Sequence, residues 1–260
     1  MTRFLLIAAM FAACSSAAAA SCPGNADALG TERVMTVDVA TTPRVGRKHF
    51  PVTLPLAAKE VVLTFDDGPW PGTTDQILDA LRKECVKATF FMLGRSAASW
   101  PAIAKRVADA GHTVGHHTYS HPLLRFMSEK SAEAEIDRGI AAIEAAAGHP
   151  GNVAAFFRFP GFASSPALLA LAEKRGMVVF GADAWASDWN PMSADQQLRL
   201  ILERIEASHG GIVLFHDTKK QTAAMLPGFL RALKHRGFRV VHVVPAAGKR
   251  SVADLLRRSW

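Results

Sequence analysis

The chain has 260 residues, of which 49% are hydrophobic and 20% are charged, and its formal net charge is +7. This composition is typical of one large globular domain and argues against intrinsic disorder. The basic residues are scattered, and the longest basic runs, such as Lys219-Lys220 and Arg257-Arg258, contain two residues. Without a basic stripe, the sequence does not favour a nucleic-acid-binding protein and predicts an ordinary solvated basic surface.

Residues 1–20 have the pattern of a secretory signal peptide. Arg3 precedes the apolar run Phe4–Ala13, and the small residues Ala18–Ala20 offer a cleavage site. The apolar run is too short to span a bilayer comfortably, and no later segment approaches that length. We therefore expect export to the periplasm or the exterior after cleavage. The alternative is a lipoprotein anchored through Cys14, but the residues before it match a lipobox poorly.

Cleavage would leave two cysteines, Cys22 and Cys85. In an oxidising compartment an even number of cysteines favours a disulfide, which here would tie the new N-terminus to the body of the protein. The alternative is two free thiols, with Cys85 simply buried.

The segment 21–59 is rich in Pro, Gly and Thr and has little periodicity, so we expect an extended leader with a short strand near Val34–Val39. From residue 60 to residue 260 we expect one domain. Seven buried strands are predicted in it, at Val61–Phe65, Ala88–Leu93, Thr113–Gly115, Ala154–Phe159, Met177–Ala182, Ile212–Phe215 and Phe238–Val244. Helices are predicted at Thr74–Lys83, Ser96–Ala110, Ser128–Ala147, Pro166–Lys174, Ala194–Ser208, Thr222–His235 and Ser251–Arg258.

Strict alternation of strands and helices predicts a parallel sheet with crossover helices. An open doubly wound sheet and a barrel both fit this pattern. No Gly-x-Gly-x-x-Gly follows the first strand, so a dinucleotide-binding fold has no support. Glycines are expected to end several helices, at Gly111, Gly148, Gly176, Gly210 and Gly237.

Polar clusters follow the predicted strands, at the edge where parallel α/β proteins build their active sites. Asp66 and Asp67 come directly after the first strand and are followed by Gly68-Pro69, which favours a turn. Such a pair allows one carboxylate to bind a metal while the other faces the substrate. Taken alone, Asp-Gly-Pro is also common in structural turns.

Four histidines, His112, His116, His117 and His121, lie within ten residues around the third strand. His117 and His121 have a spacing of four, which would place both imidazoles on one face if this loop formed a helical turn. Two neutral imidazoles and one carboxylate form a usual divalent-metal site with open positions for water and substrate. His112 and His116 have no evident metal role and are interpreted as structural.

Three further clusters follow later strands and are weak signals singly. They are Arg158–Gly161, Asp183–Trp189 and Leu214–Asp217. An arginine inside a site would form a bidentate pair with a carboxylate and keep it ionised.

Together the five clusters resemble the ordered motifs of the NodB-homology polysaccharide deacetylases, also called carbohydrate esterase family four. The matching segments are Thr64–Pro69, His117-Thr118-x-x-His121, Arg158-x-Pro160, Asp188-Trp189 and Leu214-x-His216. The similarity spans about residues 60–244, and its first two motifs are the most specific. The resemblance implies an α/β fold that is a distorted (β/α)7 barrel, which agrees with the seven predicted strands.

The resemblance also implies the roles of individual residues. Asp67, His117 and His121 would hold Zn2+ or another divalent metal such as Co2+. Asp66 would be the general base that activates the attacking water, and His216 the general acid that protonates the leaving amine.

By the same resemblance Arg158 would pair with Asp66, and Asp188 would orient His216. Trp189 and Leu214 would line the substrate groove and a small pocket for the acetyl methyl group. The backbone N–H of Gly161 would stabilise the oxyanion. The family usually places an aromatic residue and then glycine after Arg-x-Pro, whereas Gly161 and then Phe162 stand here, so the groove beside the metal should differ in shape.

These roles imply a hydrolase of amide bonds that removes N-acetyl groups from glucosamine-type sugars. The expected partner is an exported glycan such as peptidoglycan or a chitin-like oligosaccharide, with no nucleic acid and no membrane span. O-deacetylation, as on acetylated xylan, stays an alternative because the same site would cleave an ester more easily than an amide. A non-catalytic glycan-binding protein is less favoured because base, ligands and acid are all present. The sequence indicates no oligomeric state.

Overall fold

The computed structural model describes residues 22–148 and 153–246. The predicted signal peptide, Cys14 and the predicted helix Ser251–Arg258 lie outside the described residues. The strands are β1 (Arg33–Val37), β2 (Arg44–Val45), β3 (Glu60–Asp66), β4 (Thr89–Met92), β5 (Thr113–His116), β6 (Val153–Phe157), β7 (Val178–Phe180), β8 (Ala184–Trp185), β9 (Gly210–His216) and β10 (Arg239–Pro245). The α-helices are α1 (Thr73–Lys83), α2 (Gly94–Ser99), α3 (Pro101–Asp109), α4 (Glu129–Ala146), α5 (Pro166–Lys174), α6 (Ala194–Ala207) and α7 (Lys220–His235).

The seven predicted strands correspond to β3–β7, β9 and β10, each within two residues at either end. The prediction of one helix over Ser96–Ala110 is wrong, because this stretch forms the two helices α2 and α3. The break lies at Trp100, whose φ is −131° and ψ is 56°, directly before Pro101. Proline disfavours helical backbone in the residue before it and is itself favoured as the first residue of a helix.

The predicted helix stop at Gly210 is also displaced. Gly210 begins β9, and the turn after α6 is made by His209, which adopts a left-handed φ of 56°. Gly111, Gly148, Gly176 and Gly237 all have a positive φ just after their helices, as predicted.

The central strands form a parallel sheet that curls into a barrel. β3 pairs with β4 on one side and β9 on the other, and the ladder continues through β5, β6 and β7. β8 pairs with β9, and within residues 22–148 and 153–246 no ladder joins β7 to β8. The barrel is therefore open on that side, and the prediction of a distorted α/β barrel is confirmed.

The segment before residue 60 contributes two strands to this sheet. β1 pairs with β10, which pairs with the start of β3, while β2 pairs with β7 at the open side of the barrel. Asp183 fixes the segment there, because its carboxylate accepts hydrogen bonds from the backbone N–H of Arg47 at 2.8 Å and the hydroxyl of Thr53 at 2.7 Å. This part of the chain thus reaches the same end of the barrel as the polar clusters.

Alternation of side chains along the strands separates two hydrophobic clusters. Leu63 and Phe65 of β3 and Phe215 of β9 pack outward in the cluster that includes residues of α1 and α7. Val62 and Ile212 point the other way, into the barrel interior. A third cluster lies between the sheet and helices α4 and α5. In the described part of the chain, no helix has the length and apolar character needed to cross a bilayer.

Candidate active site

The same alternation directs three polar side chains into the mouth of the barrel. Asp66 shares the inward parity of Val62 on β3, and His216 shares that of Ile212 on β9. Arg158 follows β6 with the inward parity as well, and it is fully buried. Because successive residues of a strand point to opposite faces, the strand pattern alone determines which of these residues face the interior.

Asp67, His117 and His121 form a compact group of candidate metal ligands. One ligand atom from each lies within 4.8 Å of the other two. Nε2 of His117 lies 3.6 Å from Oδ1 of Asp67, and Nε2 of His121 lies 3.5 Å from the same oxygen. The structure therefore brings together the three residues that sequence reasoning selected.

Two details of this group fit a divalent cation. Oδ1 of Asp67 is buried and has no hydrogen-bond partner, which leaves it free to coordinate. Nδ1 of His117 lies 2.7 Å from the backbone oxygen of Arg158, so that donation from this nitrogen turns the lone pair of Nε2 toward Asp67. Burial also lowers the pKa of His117 to about 3, and a neutral imidazole is the form that binds metals.

The two histidines meet without the helical turn that their spacing suggested. His117–Leu123 has no regular secondary structure, and both Thr118 and His121 have a left-handed φ, of 69° and 68°. A hydrogen bond from the backbone N–H of His121 to the hydroxyl of Thr118, 3.1 Å long, stabilises this loop. The expected convergence is thus produced by irregular backbone.

Asp66 and Arg158 form a buried ion pair beside the metal group. Nη1 of Arg158 lies 2.6 Å from Oδ1 of Asp66 and also donates to the hydroxyl of Thr64 at 2.9 Å. The other guanidinium nitrogens donate to the backbone oxygens of Phe180 and Gly181, so the contact with Asp66 is not the bidentate pair expected. Burial raises the pKa of Asp66, and the charge of Arg158 opposes that rise.

His216, the β9 register partner of Asp66 on β3, is held by Asp188 beside the same group. Nδ1 of His216 lies 2.7 Å from Oδ1 of Asp188, while Nε2 lies 4.0 Å from Oδ2 of Asp67. Burial alone would lower the pKa of His216, but the hydrogen bond to Asp188 and the charges of Asp188, Asp66 and Asp67 outweigh it and raise this pKa to about 9. These carboxylates therefore favour the protonated imidazole, the form that has a proton to donate.

The remaining predicted site residues lie around these groups. Trp189 is half exposed, with its ring perpendicular to that of His216 at a centroid distance of 5.8 Å. Leu214 is buried on β9, two residues before His216. Gly161 lies in the short 3-10 turn Pro160–Phe162 that follows Arg158, and its φ is 55°.

The departure at Phe162 is accommodated by the segment before β3. The ring of Phe162 stacks on His49 with a centroid distance of 3.6 Å and an interplanar angle of 21°. Trp185 lies beside both rings, at 6.0 Å from His49 and 6.4 Å from Phe162. The aromatic residue thus helps to fix residues 46–50 to the rim of the barrel.

Sequence reasoning included Asp217 in the last polar cluster but gave no role to this buried carboxyl group next to His216. Its Oδ2 accepts a hydrogen bond from the hydroxyl of Thr74 at 2.7 Å, and burial raises its pKa to about 7. A β-carbon at Gly68 would lie 2.0 Å from the same oxygen. Gly68 is therefore required by this contact as well as by its turn, and a glycine after two aspartates was the available signal.

Sequence reasoning missed Thr222. Its hydroxyl donates to Oδ2 of Asp188 at 2.7 Å, and the backbone N–H of His216 donates to the same oxygen at 2.7 Å. Both oxygens of Asp188 are therefore satisfied, which fixes the carboxylate that holds His216.

Comparison with known proteins places this site in a family. A family model described as polysaccharide deacetylase matches residues 54–180. A peptidoglycan-N-acetylglucosamine deacetylase of Bacillus cereus is 34% identical over 191 residues, which cover 72% of this chain and 68% of that protein. The chain belongs to the polysaccharide deacetylase family.

Further proteins are similar to this chain in sequence or in fold. A peptidoglycan-N-acetylglucosamine deacetylase of Listeria monocytogenes is 30% identical over 225 residues, which cover 84% of this chain but only 46% of that protein. The solved structure of a peptidoglycan deacetylase of Bdellovibrio bacteriovorus is 33% identical, with a TM-score of 0.76 over 85% of this chain and 62% of that one. This chain thus spans less than half of the Listeria relative.

Proposed function

We propose that the protein is a metal-dependent hydrolase that removes N-acetyl groups from an exported glycan and releases acetate. The observation that carries the proposal is that Asp67, His117 and His121 converge beside a buried carboxylate, Asp66, and the imidazole of His216. The two relatives named as peptidoglycan-N-acetylglucosamine deacetylases support peptidoglycan as the first substrate to test.

The donor set supports zinc as the ion, with cobalt as a substitute, because two imidazoles and one carboxylate suit either metal. When bound, such a cation would act as a Lewis acid toward the acetyl carbonyl and make water more acidic. The chain's own residues would hold it through Oδ1 of Asp67 and the Nε2 atoms of His117 and His121.

Proton transfer would be divided between Asp66 and His216, the two titratable groups beside the ligands. Asp66, held by Arg158, would take a proton from the attacking water. His216, held in its protonated form by Asp188, would give a proton to the leaving nitrogen, because an amine leaves poorly unless it is protonated. The backbone N–H of Gly161 would help to stabilise the oxyanion. Trp189 and Leu214 would border the sugar and the acetyl methyl group.

Export is part of the proposal. Cys22 and Cys85 form a disulfide in the structure, with sulfur atoms 2.01 Å apart. Disulfides persist in oxidising compartments, so this bond supports a periplasmic or extracellular location.

The test is release of acetate from a panel of N-acetylated and O-acetylated glycans, with and without a chelator. We expect release from N-acetylated glycans that the chelator abolishes and added Zn2+ or Co2+ restores. His121→Ala should lose both metal content and activity, whereas His235→Ala, at an exposed site on α7, should lose neither. Activity that ignores the chelator would refute the metal assignment, and release from esters alone would favour O-deacetylation. Absence of release from every glycan would favour a binding protein.

A further inference from the structure

A cleft of ≈ 690 Å³ opens directly beside the candidate metal group. Asp67 and His121 form part of its wall, and the rest comes from helix α2, the residues that flank it, and the loops that follow β3 and β9. Its volume is in the range of small-ligand sites. Any group bound there would be a neighbour of the acetyl group at the metal.

Two tryptophans give this cleft a flat apolar lining. Trp70 is 49% exposed and Trp100 is 42% exposed, and both line the cleft. Their backbones are fixed: Trp70 donates its N–H to the hydroxyl of Thr74 at 2.7 Å, and Trp100 occupies the break between α2 and α3. The indole rings offer flat stacking surfaces to the apolar face of a sugar ring.

The cleft also contains two cationic side chains, Arg95 and Lys219. Within the described ranges 22–148 and 153–246, no carboxylate lies within ion-pair distance of either one. The basic residues on the neighbouring helices α1 and α3 behave differently, because Arg82, Lys83, Lys105 and Arg106 all pair with aspartates. Among the residues that line the cleft, the one carboxylate belongs to Asp67, in the metal group.

The backbone holds both cations close to the reacting groups. Arg95 lies in the first turn of α2, and its N–H donates to the oxygen of Tyr119 at 3.0 Å, in the loop that carries both histidine ligands. Lys219 caps α7, and its N–H lies 3.3 Å from the backbone oxygen of His216. Both cationic side chains thus originate from backbone that is tied to the loops of the candidate active site.

We propose that Trp70, Arg95, Trp100 and Lys219, here named the cationic cleft, bind a carboxylate-bearing sugar adjacent to the one that is deacetylated. The inference rests on the proposed function and deepens it, because it assigns the protein to acidic glycans rather than neutral ones. Two sources of the carboxylate fit the cleft: the ether-linked lactyl group of a muramic acid that carries no stem peptide, and the ring carboxylate of a uronic acid. Both would accept charge-assisted hydrogen bonds from Arg95 and Lys219.

The experiment compares peptidoglycan glycan fragments freed of their stem peptides with the same fragments after their lactyl carboxylates are converted to amides. A glycan that alternates N-acetylglucosamine with glucuronic acid, free or amidated, forms the second arm. Acetate release gives kcat/KM, and calorimetry with the Asp66→Asn variant gives Kd without turnover. The variants are Arg95→Gln/Lys219→Gln, Trp100→Ala, and Lys220→Gln as a matched control, since Lys220 is exposed beside Lys219 but does not line the cleft.

We expect the wild type to prefer the free carboxylate of at least one arm by about ten-fold, as two partly exposed charge-assisted contacts would provide. The double variant should lose that preference, and Lys220→Gln should keep it. Trp100→Ala should weaken the binding of free and amidated fragments to similar extents, because stacking of the sugar ring does not depend on the carboxylate. The arm that shows the preference identifies the source.

Equal Kd values for free and amidated fragments in both arms would overturn the cleft assignment, as would a preference that survives the double variant. If acetate were still released under those results, the deacetylase proposal would stand without this subsite. If binding showed the preference but no acetate appeared, the cleft would stand and the proposed reaction would fail.

Discussion

Nη1 of Arg158 lies 2.6 Å from Oδ1 of Asp66, and the two side chains are 0% and 3% exposed. Removing one partner of such a pair leaves an uncompensated charge in the interior, which costs about 3–5 kcal/mol. We predict that Arg158→Met lowers the free energy of unfolding by this amount. The double variant Arg158→Met/Asp66→Asn should recover part of the loss, because both charges are then absent.

Urea unfolding of the wild type, both single variants and the double variant measures this cycle. The matched comparison is Arg175→Met, whose guanidinium pairs with the more exposed Asp137 at 2.6 Å. Arg175→Met should lower the free energy of unfolding by less than Arg158→Met, because water solvates the charge of the Asp137 carboxylate that remains. If the losses of unfolding free energy in the two single variants simply added in the double variant, the charges of Arg158 and Asp66 would not be coupled.

Asp66→Asn provides a test of the base that does not disturb the metal ligands. The substitution keeps the shape of the side chain but removes the group that would accept the proton, so kcat should fall about 10²–10⁴-fold. Metal content measured after dialysis should equal that of the wild type, since Asp67, His117 and His121 are intact. A near-normal rate would show that another group is the base.

The pair His216–Asp188 predicts the alkaline limit of activity. A general acid must be protonated, so activity should fall as pH rises through the pKa of His216, which Asp188 helps to raise to about 9. Asp188→Asn removes one of the charges that raise this pKa, and the alkaline limb of kcat/KM should therefore move to lower pH. Asp195→Asn, at the exposed start of α6, should leave the limb in place. If the alkaline limb of kcat/KM did not move in Asp188→Asn, that limb would belong to the titration of a group other than His216.

The sequence was most informative where one physical rule dominated. Buried parallel strands are short apolar runs, and polar residues that follow them lie at the edge where parallel α/β proteins build active sites, so the strands and the place of Asp66 and His216 could be predicted. The ordered motifs then identified Asp67, His117 and His121 as a group that the structure brings together.

The parts that could not be predicted depend on tertiary contacts. The loop from His117 to His121 uses left-handed backbone at Thr118, for which the spacing of the histidines gave no signal. Asp217 and Thr222 are ordinary polar residues in the sequence, and their importance lies in partners more than 20 residues away. β2 lies in a segment without periodicity, and it forms because β7 leaves an edge unpaired there.

The disulfide between Cys22 and Cys85 predicts a stability that depends on redox conditions. It closes a loop with a sequence separation of 63, which corresponds to about 4 kcal/mol in the loop-entropy model. Cys22→Ser/Cys85→Ser should lower the free energy of unfolding by up to this amount while the fold persists, because backbone contacts such as Gly30 N–H to the oxygen of Glu84 at 2.8 Å remain.

Dithiothreitol is the internal control for the disulfide. It should destabilise the wild type toward the value of the double variant and leave the variant unchanged. Thiol titration of unfolded, unreduced protein that begins at Cys22 should find no free thiol. Two titratable thiols would show that the disulfide does not form. A double variant as stable as the wild type would show that the disulfide does not stabilise the fold.

The ion pair between Arg33 and Glu60 predicts how stability changes in acid. Nε and Nη2 of Arg33 donate to the two oxygens of Glu60 at 2.9 and 2.7 Å, joining β1 to the start of β3. The hydrogen bonds from Arg33 hold the pKa of Glu60 below its ordinary value of 4.5. A depressed pKa in the folded state stabilises the protein above the unfolded-state pKa, and this contribution is lost as pH falls through the folded-state value.

Glu60→Gln should therefore lower the free energy of unfolding at pH 7 by about 1–2 kcal/mol, since the carboxylate is buried but Arg33 is partly solvated. The difference from the wild type should shrink below pH 4.5, because the wild-type carboxylate becomes protonated there. Glu206→Gln, in an exposed pair with Arg236 at 2.9 Å, should change stability little at any pH. Chemical denaturation across pH 3–8 measures all three proteins, and a Glu60→Gln effect independent of pH would mean that the charge of Glu60 contributes nothing to holding β1 on the sheet.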